Sequence, residues 1–208
     1  MSLTDTLWRR GLVICVSGPS GVGKGTVIRR MRELRPDLAL SISVTTREPR
    51  PGERDGVEYY FRSAAEFRQM LAEGEILESD CYCGNSYGTP RTPLENMVRR
   101  GVDVLMDITV PGSLSVLAKY PDVITVFLLP PSFSELRRRL ETRGTEDPAV
   151  IDRRLGKARE EIGKAGLFQY NVINTDVDGA ANSILAIIEA EHCRQGRLPK
   201  LEEAILTR

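Results

Sequence analysis

"GLVICVSGPSGVGKGT", residues 11–26, decides the fold. Its first seven residues form a short, continuous apolar run closed by a glycine turn, the pattern of a strand buried on both faces. Gly18 to Lys24 then match G-x-x-x-x-G-K. Beyond the lysine, Val27, Ile28, Met31 and Leu34 fall on one face of a helix that stops before Pro36. A glycine loop between a strand and a helix is the context that makes this motif a phosphate-binding loop. The glycines let backbone N–H groups converge into an anion nest, and the helix start adds its unpaired N–H groups and positive end. Gly18, Pro19, Ser20, Gly21, Val22, Gly23, Lys24, Gly25 and Thr26 are therefore candidate contacts to a nucleotide's phosphates. Gly25 stands where the pattern usually has a serine or threonine, and the hydroxyl arrives one residue later, at Thr26.

Outward from this loop, apolar strands alternate with amphipathic helices, which argues for a parallel sheet covered on both faces. "LALSISVT" (38–45) alternates as a strand, and "VDVLMDIT" (102–109) and "DVITVFLL" (122–129) read as core strands with a helix over 112–119 between them. Helices are expected at 134–141 and 148–163, a short strand at "YNVIN" (170–174), and an amphipathic helix at 179–193. The stretch from Thr46 to Pro93, rich in aromatics, glycines, prolines and charges with one helical piece near 63–73, reads as an insert facing a ligand. Asp107 closes its strand at the carboxyl edge, where such sheets bind ligands.

Composition narrows the function. The 208 residues suit one domain with a sizeable core. Twenty-nine basic and 29 acidic residues cancel, so no overall field recruits nucleic acid. No apolar run has the roughly 18 residues a membrane span needs, and the N-terminus lacks a secretory apolar core, so the expectation is a cytoplasmic protein. Cys15, Cys81, Cys83 and Cys193 have neither disulfide-framework nor zinc spacing and read as free thiols. A single histidine, His192, makes a Ser-His-Asp hydrolase a poor reading.

The order G-K-G-T resembles the loop of adenylate kinases and related nucleoside monophosphate kinases. "SVTTREPRPGERDGVEYYF" (43–61) resembles the segment by which guanylate kinases bind GMP, whose pattern is close to S-x-T-T-R-x-P-R-x-G-E-x-x-G-x-x-Y-x-F. Further matches lie at "EILE" (75–78), "GNSYGT" (84–89), "PPS" (130–132) and "RRLETRGTED" (138–147), so the likeness runs from about residue 11 to residue 190. It implies the nucleoside monophosphate kinase fold: a five-stranded parallel core (about 11–45, 94–131 and 164–193), a GMP-binding insert (about 46–93) and a lid (about 132–163).

The same resemblance assigns roles. ATP would lie on residues 18–26, with Arg139 beside it and Asn174 at the adenine. Arg47 and Arg50 would clamp the GMP phosphate, helped by the hydroxyls of Tyr59 and Tyr87; the arginine fork suits phosphate oxygens. Glu78 would accept from guanine N1–H and N2–H₂, Ser43 would donate to O6, and Thr89 would lie by the base. Asp107 would sit between the nucleotides, near Mg²⁺ held mainly by phosphates and water, with Thr26 in its neighbourhood. Arg143 and Arg154 would reach the transferring phosphoryl group from the lid, so the catalytic set is Lys24, Arg47, Asp107, Arg143 and Arg154. One departure stands out: where the family usually has a second acid and then Gln-Gly, this chain has "DITVPG", with Thr109 and Pro111.

The implied activity is phosphorylation of GMP, and by extension dGMP, by ATP, with both nucleotides as small-molecule substrates. No nucleic acid or membrane partner is expected, and either a monomer or a homo-oligomer is compatible with the sequence. Two alternatives are a non-catalytic guanylate-kinase-like binding module and a kinase acting on another small phosphate ester, such as a ribose bisphosphate. An intact phosphate loop speaks against the first. Ser43 and Glu78, which a substrate without guanine would not use, speak against the second.

Overall fold

A computed structural model of the chain describes residues 10–82, 84–142, 147–198 and 201–207. Its centre is a five-stranded, wholly parallel sheet of β1 (Val13–Ser17), β2 (Ala39–Leu40), β7 (Val104–Asp107), β8 (Ile124–Leu129) and β9 (Tyr170–Ile173), in the order β2-β7-β1-β8-β9. Such a sheet must be covered on both faces. On one face lie α1 (Lys24–Leu34) and α7 (Val177–His192), whose Val27, Ile28, Met31, Ala181, Ile184 and Ile188 pack on Ile14, Val16 and Leu128. On the other lie α3 (Arg91–Arg99) and α4 (Val110–Lys119), which set Leu94, Val98 and Val116 against Cys15, Val104 and Met106. With α1 on one face and α4 on the other, a crevice opens at the carboxyl ends of β1 and β7, the usual place for a ligand in this architecture.

A second, four-stranded sheet has the order β4-β3-β6-β5, from β3 (Val44–Thr45), β4 (Tyr60–Phe61), β5 (Ile76–Tyr82) and β6 (Asn85–Pro90). Helix α2 (Ala64–Ala72) closes it, Phe67 packing with Val44 and Ile76, and Ser63 and Glu66 form a reciprocal capping box at its start. Helices α5 (Phe133–Thr142) and α6 (Pro148–Ile162) pair through Leu136, Leu140, Ile151, Leu155 and Ala158. A short helix α8 (Leu201–Leu206) follows.

Two expectations change. "LALSISVT" is not one strand: Ala39–Leu40 join β7 in the parallel sheet, whereas Val44–Thr45 pair with β6 and β4 in the second sheet. The alternation is shared between two surfaces, and Ser43 sits at the joint. The helix expected at 112–119 starts at Val110, because Thr109 accepts a hydrogen bond from Gly112 N–H as N-cap and Pro111 tolerates the first turn.

Candidate active site

The phosphate loop runs from the end of β1 into α1 as the sequence implies. Gly21 (φ 90°) and Gly23 (φ 97°) are left-handed, and a Cβ on either would meet Leu140 or the Asn174 amide within 2.9 Å. The loop's outer edge is stitched to distant elements. The Val22 carbonyl accepts from Asn174 Nδ2 at 2.7 Å and from Arg139 Nη1 at 3.2 Å, while Arg139 Nη2 donates to the Asn174 carbonyl at 3.1 Å. Arg139 is oriented in turn by Glu135, whose carboxyl is held down at about 2 by hydrogen bonds from Arg138 and Arg139. Asn174 is buried, so its side chain serves the loop's shape. A cleft of about 350 Å³ lies alongside, lined by Gly23, Thr26, Arg138, Arg139, Asn174 and Asp176 among others.

At the loop's inner end, Lys24 Nζ lies 2.9 Å from Asp107 Oδ1 and donates to the Ile108 carbonyl at 3.1 Å. Ser17 Oγ donates to the same carbonyl at 2.8 Å and meets Ser113 Oγ at 2.7 Å, fixing the end of β1 against the start of α4. The lysine is thus pre-placed by β7, and Asp107 keeps a partly open carboxylate at the crevice mouth.

Helix α6 reaches the same loop. Arg154 donates to Ser20 Oγ from Nε at 3.2 Å and from Nη2 at 2.8 Å. On its last turn, Glu161 accepts from the Ser20 backbone N–H, and burial pushes its carboxyl up. Its Oε2 is enclosed without a hydrogen-bond partner. Arg143 lies outside the described residues.

Across the crevice the second sheet carries the other candidates. Arg47 Nη2 lies 2.9 Å from both oxygens of Glu53, and its guanidinium stands 5.4 Å from the Tyr59 ring centroid. Tyr59 and Tyr87 meet edge to face at 6.0 Å, and burial raises the Tyr59 phenol. Arg50 is exposed, its backbone N–H donating to Glu53 Oε2 at 2.8 Å. Arg47, Tyr59 and Tyr87 are therefore gathered at one place, while Arg50 stands at its rim. Ser43 is half-buried at the joint between the sheets, its carbonyl accepting from Tyr60 N–H.

Glu78, on β5, is 5% exposed and accepts from Thr89 Oγ1 at 2.7 Å; Thr89, on β6, is fully buried. Burial raises the Glu78 carboxyl, opposed by the Thr89 hydrogen bond. A buried carboxylate held on one side by the hydroxyl and backbone N–H of Thr89 keeps lone pairs with which to accept N–H donors from an entering group.

Several contributors escaped the sequence reading. Glu53 is legible only as a motif position, and Glu161 and Ser113 carry no local signal, because Ser20 and Ser17 lie far away in the chain. Glu135 meets Arg138 and Arg139 at i, i+3 and i, i+4 on its own helix, a local signal that could have found it.

Comparison with known proteins bears on this arrangement. Residues 9–191 match the family model described as Guanylate kinase. A guanylate kinase of Thermobifida fusca is 51% identical over 175 residues, 84% of this chain and 89% of that one. The guanylate kinase of Lactococcus lactis is 49% identical over 189 residues, 91% and 92% of the two chains. Among solved structures, guanylate kinase from Anaplasma phagocytophilum superposes with a TM-score of 0.79 at 33% identity, covering 100% of this chain and 98% of that one.

Proposed function

The chain belongs to the guanylate kinase family, and on that premise we propose how its residues share the work of moving a phosphoryl group from ATP to GMP. The reaction is the ATP-dependent phosphorylation of GMP, yielding ADP and GDP. The observation that carries the division of labour is the 2.9 Å pair of Lys24 and Asp107, which joins the phosphate loop to the strand end facing the second sheet.

ATP lies on the loop from Gly18 to Thr26, its adenine in the cleft beside Arg139 and Asn174. GMP lies against the second sheet. Arg47, with Arg50 at the rim, takes its phosphate, and Tyr59 and Tyr87 donate hydroxyls to the same group. Glu78 accepts from guanine N1–H and N2–H₂, Thr89 holds the carboxylate, and Ser43 reaches O6. Adenine offers no matching pair of donors, and a buried carboxylate left unpaired disfavours it by ~10⁴ in good cases. The base and phosphate contacts named here are groups that dGMP shares with GMP, so dGMP is accepted as well.

Transfer is direct: a GMP phosphate oxygen attacks the γ-phosphorus in line as the bond to ADP breaks, and no enzyme nucleophile is needed. Lys24 neutralises charge on the outer phosphates. Arg154 and Arg143 come from the lid, about residues 132–163, to the transferring group and exclude water. The core (about 11–45, 94–131 and 164–193) and the insert (about 46–93, with the Val44–Thr45 pairing drawn into its sheet) bring the two nucleotides together.

Mg²⁺ carried in with ATP would supply further charge neutralisation on the phosphates, with Asp107 and Thr26 as the residues to hold it or its waters. The residues present fit such an ion. Asp107 is a hard oxygen donor at the crevice mouth, Thr26 adds a hydroxyl on the first turn of α1, and the space around Gly25 is open for retained waters. Mg²⁺ is commonly held by one or two carboxylates together with phosphate and water, and Asp107 would be such a carboxylate here. Among the described residues no helix is long and apolar enough to cross a membrane.

The test is a substrate panel. With Mg·ATP, ADP release is expected with GMP and dGMP and not with AMP, CMP, UMP or ribose phosphates. A folded sample that turns over AMP as well as GMP would overturn the assignment of Glu78, and one inert to GMP would overturn the whole reading.

A further inference from the structure

The carboxylate assigned to the base sits between two elements, and only one of them was visible as a partner. Glu78 Oε1 is held by Thr89 from within the second sheet. Glu78 Oε2 lies against the first turn of α4, on the core: a Cβ built on Gly112 would stand 2.7 Å from Oε2, 3.2 Å from Thr109 Oγ1 and 3.5 Å from Glu78 Cδ. Gly112 is buried and has an ordinary helical backbone, so no positive φ demands glycine here.

We infer that Gly112 is a specificity-determining positioning residue, whose missing side chain is the space that lets Glu78 aim at the guanine ring. The inference rests on the assignment of Glu78 as base reader. It places part of the acceptor specificity on α4, an element of the core, outside the insert that binds GMP.

Three features support it. The atom that a methyl group would strike is the far end of a flexible side chain, so the protein yields by turning Glu78 and not by deforming its backbone. The contact falls in the first turn of α4, near the helix's positive end, which attracts a carboxylate. Thr109 Oγ1, which caps the turn by accepting from Gly112 N–H at 3.2 Å, also stands 3.2 Å from the Cβ position, so an added methyl group has little room to turn from Glu78 on that side. Pro111 adds to this by fixing its own φ in the same turn.

The contact separates stability from recognition. Alanine is the better helix former, so Gly112→Ala should not lower Tm. It should raise KM for GMP by about 10-fold or more, the scale of one charge-assisted hydrogen bond. KM for ATP and kcat at saturating GMP should change little.

The deciding readout is the ratio of kcat/KM for GMP over IMP, which lacks the 2-amino group. Gly112→Ala is expected to lower that ratio, and to change it little further when Glu78→Gln is already present. Equal loss for GMP and IMP, a loss that adds fully to that of Glu78→Gln, or failure of Gly112→Ala to fold would each overturn the inference. Glu78→Gln alone separates the two levels. If it leaves the GMP/IMP ratio unchanged, the base-reader assignment fails; if it lowers the ratio while Gly112→Ala does not, only the role of Gly112 fails.

Discussion

Arg47 and Glu53 meet in a two-oxygen ion pair inside the acceptor segment, both carboxylate oxygens 2.9 Å from the same guanidinium nitrogen. Glu53 also accepts from Arg50 N–H, so one carboxylate sets both the side chain of Arg47 and the backbone of Arg50. The guanidinium is therefore oriented before any phosphate arrives. Arg47→Lys keeps the charge and loses the fork, and should raise KM for GMP about 10-fold or more with little change in KM for ATP. Glu53→Gln should raise it by less. Unaltered GMP titration of Arg47→Lys, followed by calorimetry, would remove Arg47 from the phosphate clamp.

Lys24 is held by Asp107 and the Ile108 carbonyl while remaining at the phosphate loop. Lys24→Ala should lower kcat by about 10²–10³-fold or more, the scale of losing one pre-placed cationic donor to the transition state. GMP binding, measured separately by calorimetry, should survive because its contacts lie on the other sheet. Wild-type turnover in this variant would show the loop motif to be incidental.

Glu78 is costly to ionise where it sits, since burial raises its carboxyl above the usual range. The folded state thus binds this proton more tightly than the unfolded state. Stability associated with Glu78 is fully present below the unfolded carboxyl pKa and is lost as pH rises through the folded one. Glu78→Gln should therefore raise Tm at pH 7, with a difference from the wild type that shrinks on acidification, while it erodes the preference for GMP over AMP. A lower Tm at pH 7 would contradict the burial account.

Asp103 presents the opposite sign. It is buried before β7, accepting from Leu12 N–H, Arg35 and His192. Burial pushes its carboxyl up, but the His192, Leu12 and Arg35 interactions outweigh it and hold the carboxyl below its ordinary value. Its contribution is present above the unfolded pKa, near 3.9, and is lost as pH falls through the folded one. Asp103→Asn should cost about 3 kcal/mol at neutral pH, the scale of breaking a buried ion pair, with the deficit vanishing in strong acid. Denaturant melts at pH 7 and below pH 3 check this, and a pH-independent deficit would point to packing alone. Catalysis at saturating substrates should be unaffected, since the network lies at the opposite end of the sheet from Asp107.

The loop, its flanking strand and helix, and the acceptor motif were legible because each is contiguous, with its chemistry carried by spacing within about twenty residues. "LALSISVT" misled because alternation reports one buried face and cannot tell that two sheets share it. Helix α3 went unseen because Pro93 reads as a breaker, yet it occupies the first turn, where its missing N–H has no partner to lose. Glu161 and Gly112 owe their roles to partners brought close only by the fold, whereas Glu135 meets Arg138 and Arg139 on its own helix. Gly112 in particular acts through an absent side chain, which no local pattern distinguishes from an ordinary helical glycine. The hydrogen bond that Asn174 donates to the Val22 carbonyl had no local signal either, since it depends on how β9 ends beside the loop.

The central claim is transfer of one phosphoryl group from ATP to GMP without loss to water. Its most direct measurement is a time course of all four nucleotides, resolved by ³¹P NMR, after Mg·ATP and GMP are mixed with the protein. ADP and GDP should appear together in equal amounts, and omission of GMP should leave ATP nearly intact. ADP accumulating without GDP, or GMP left unchanged by a folded protein, would contradict the account.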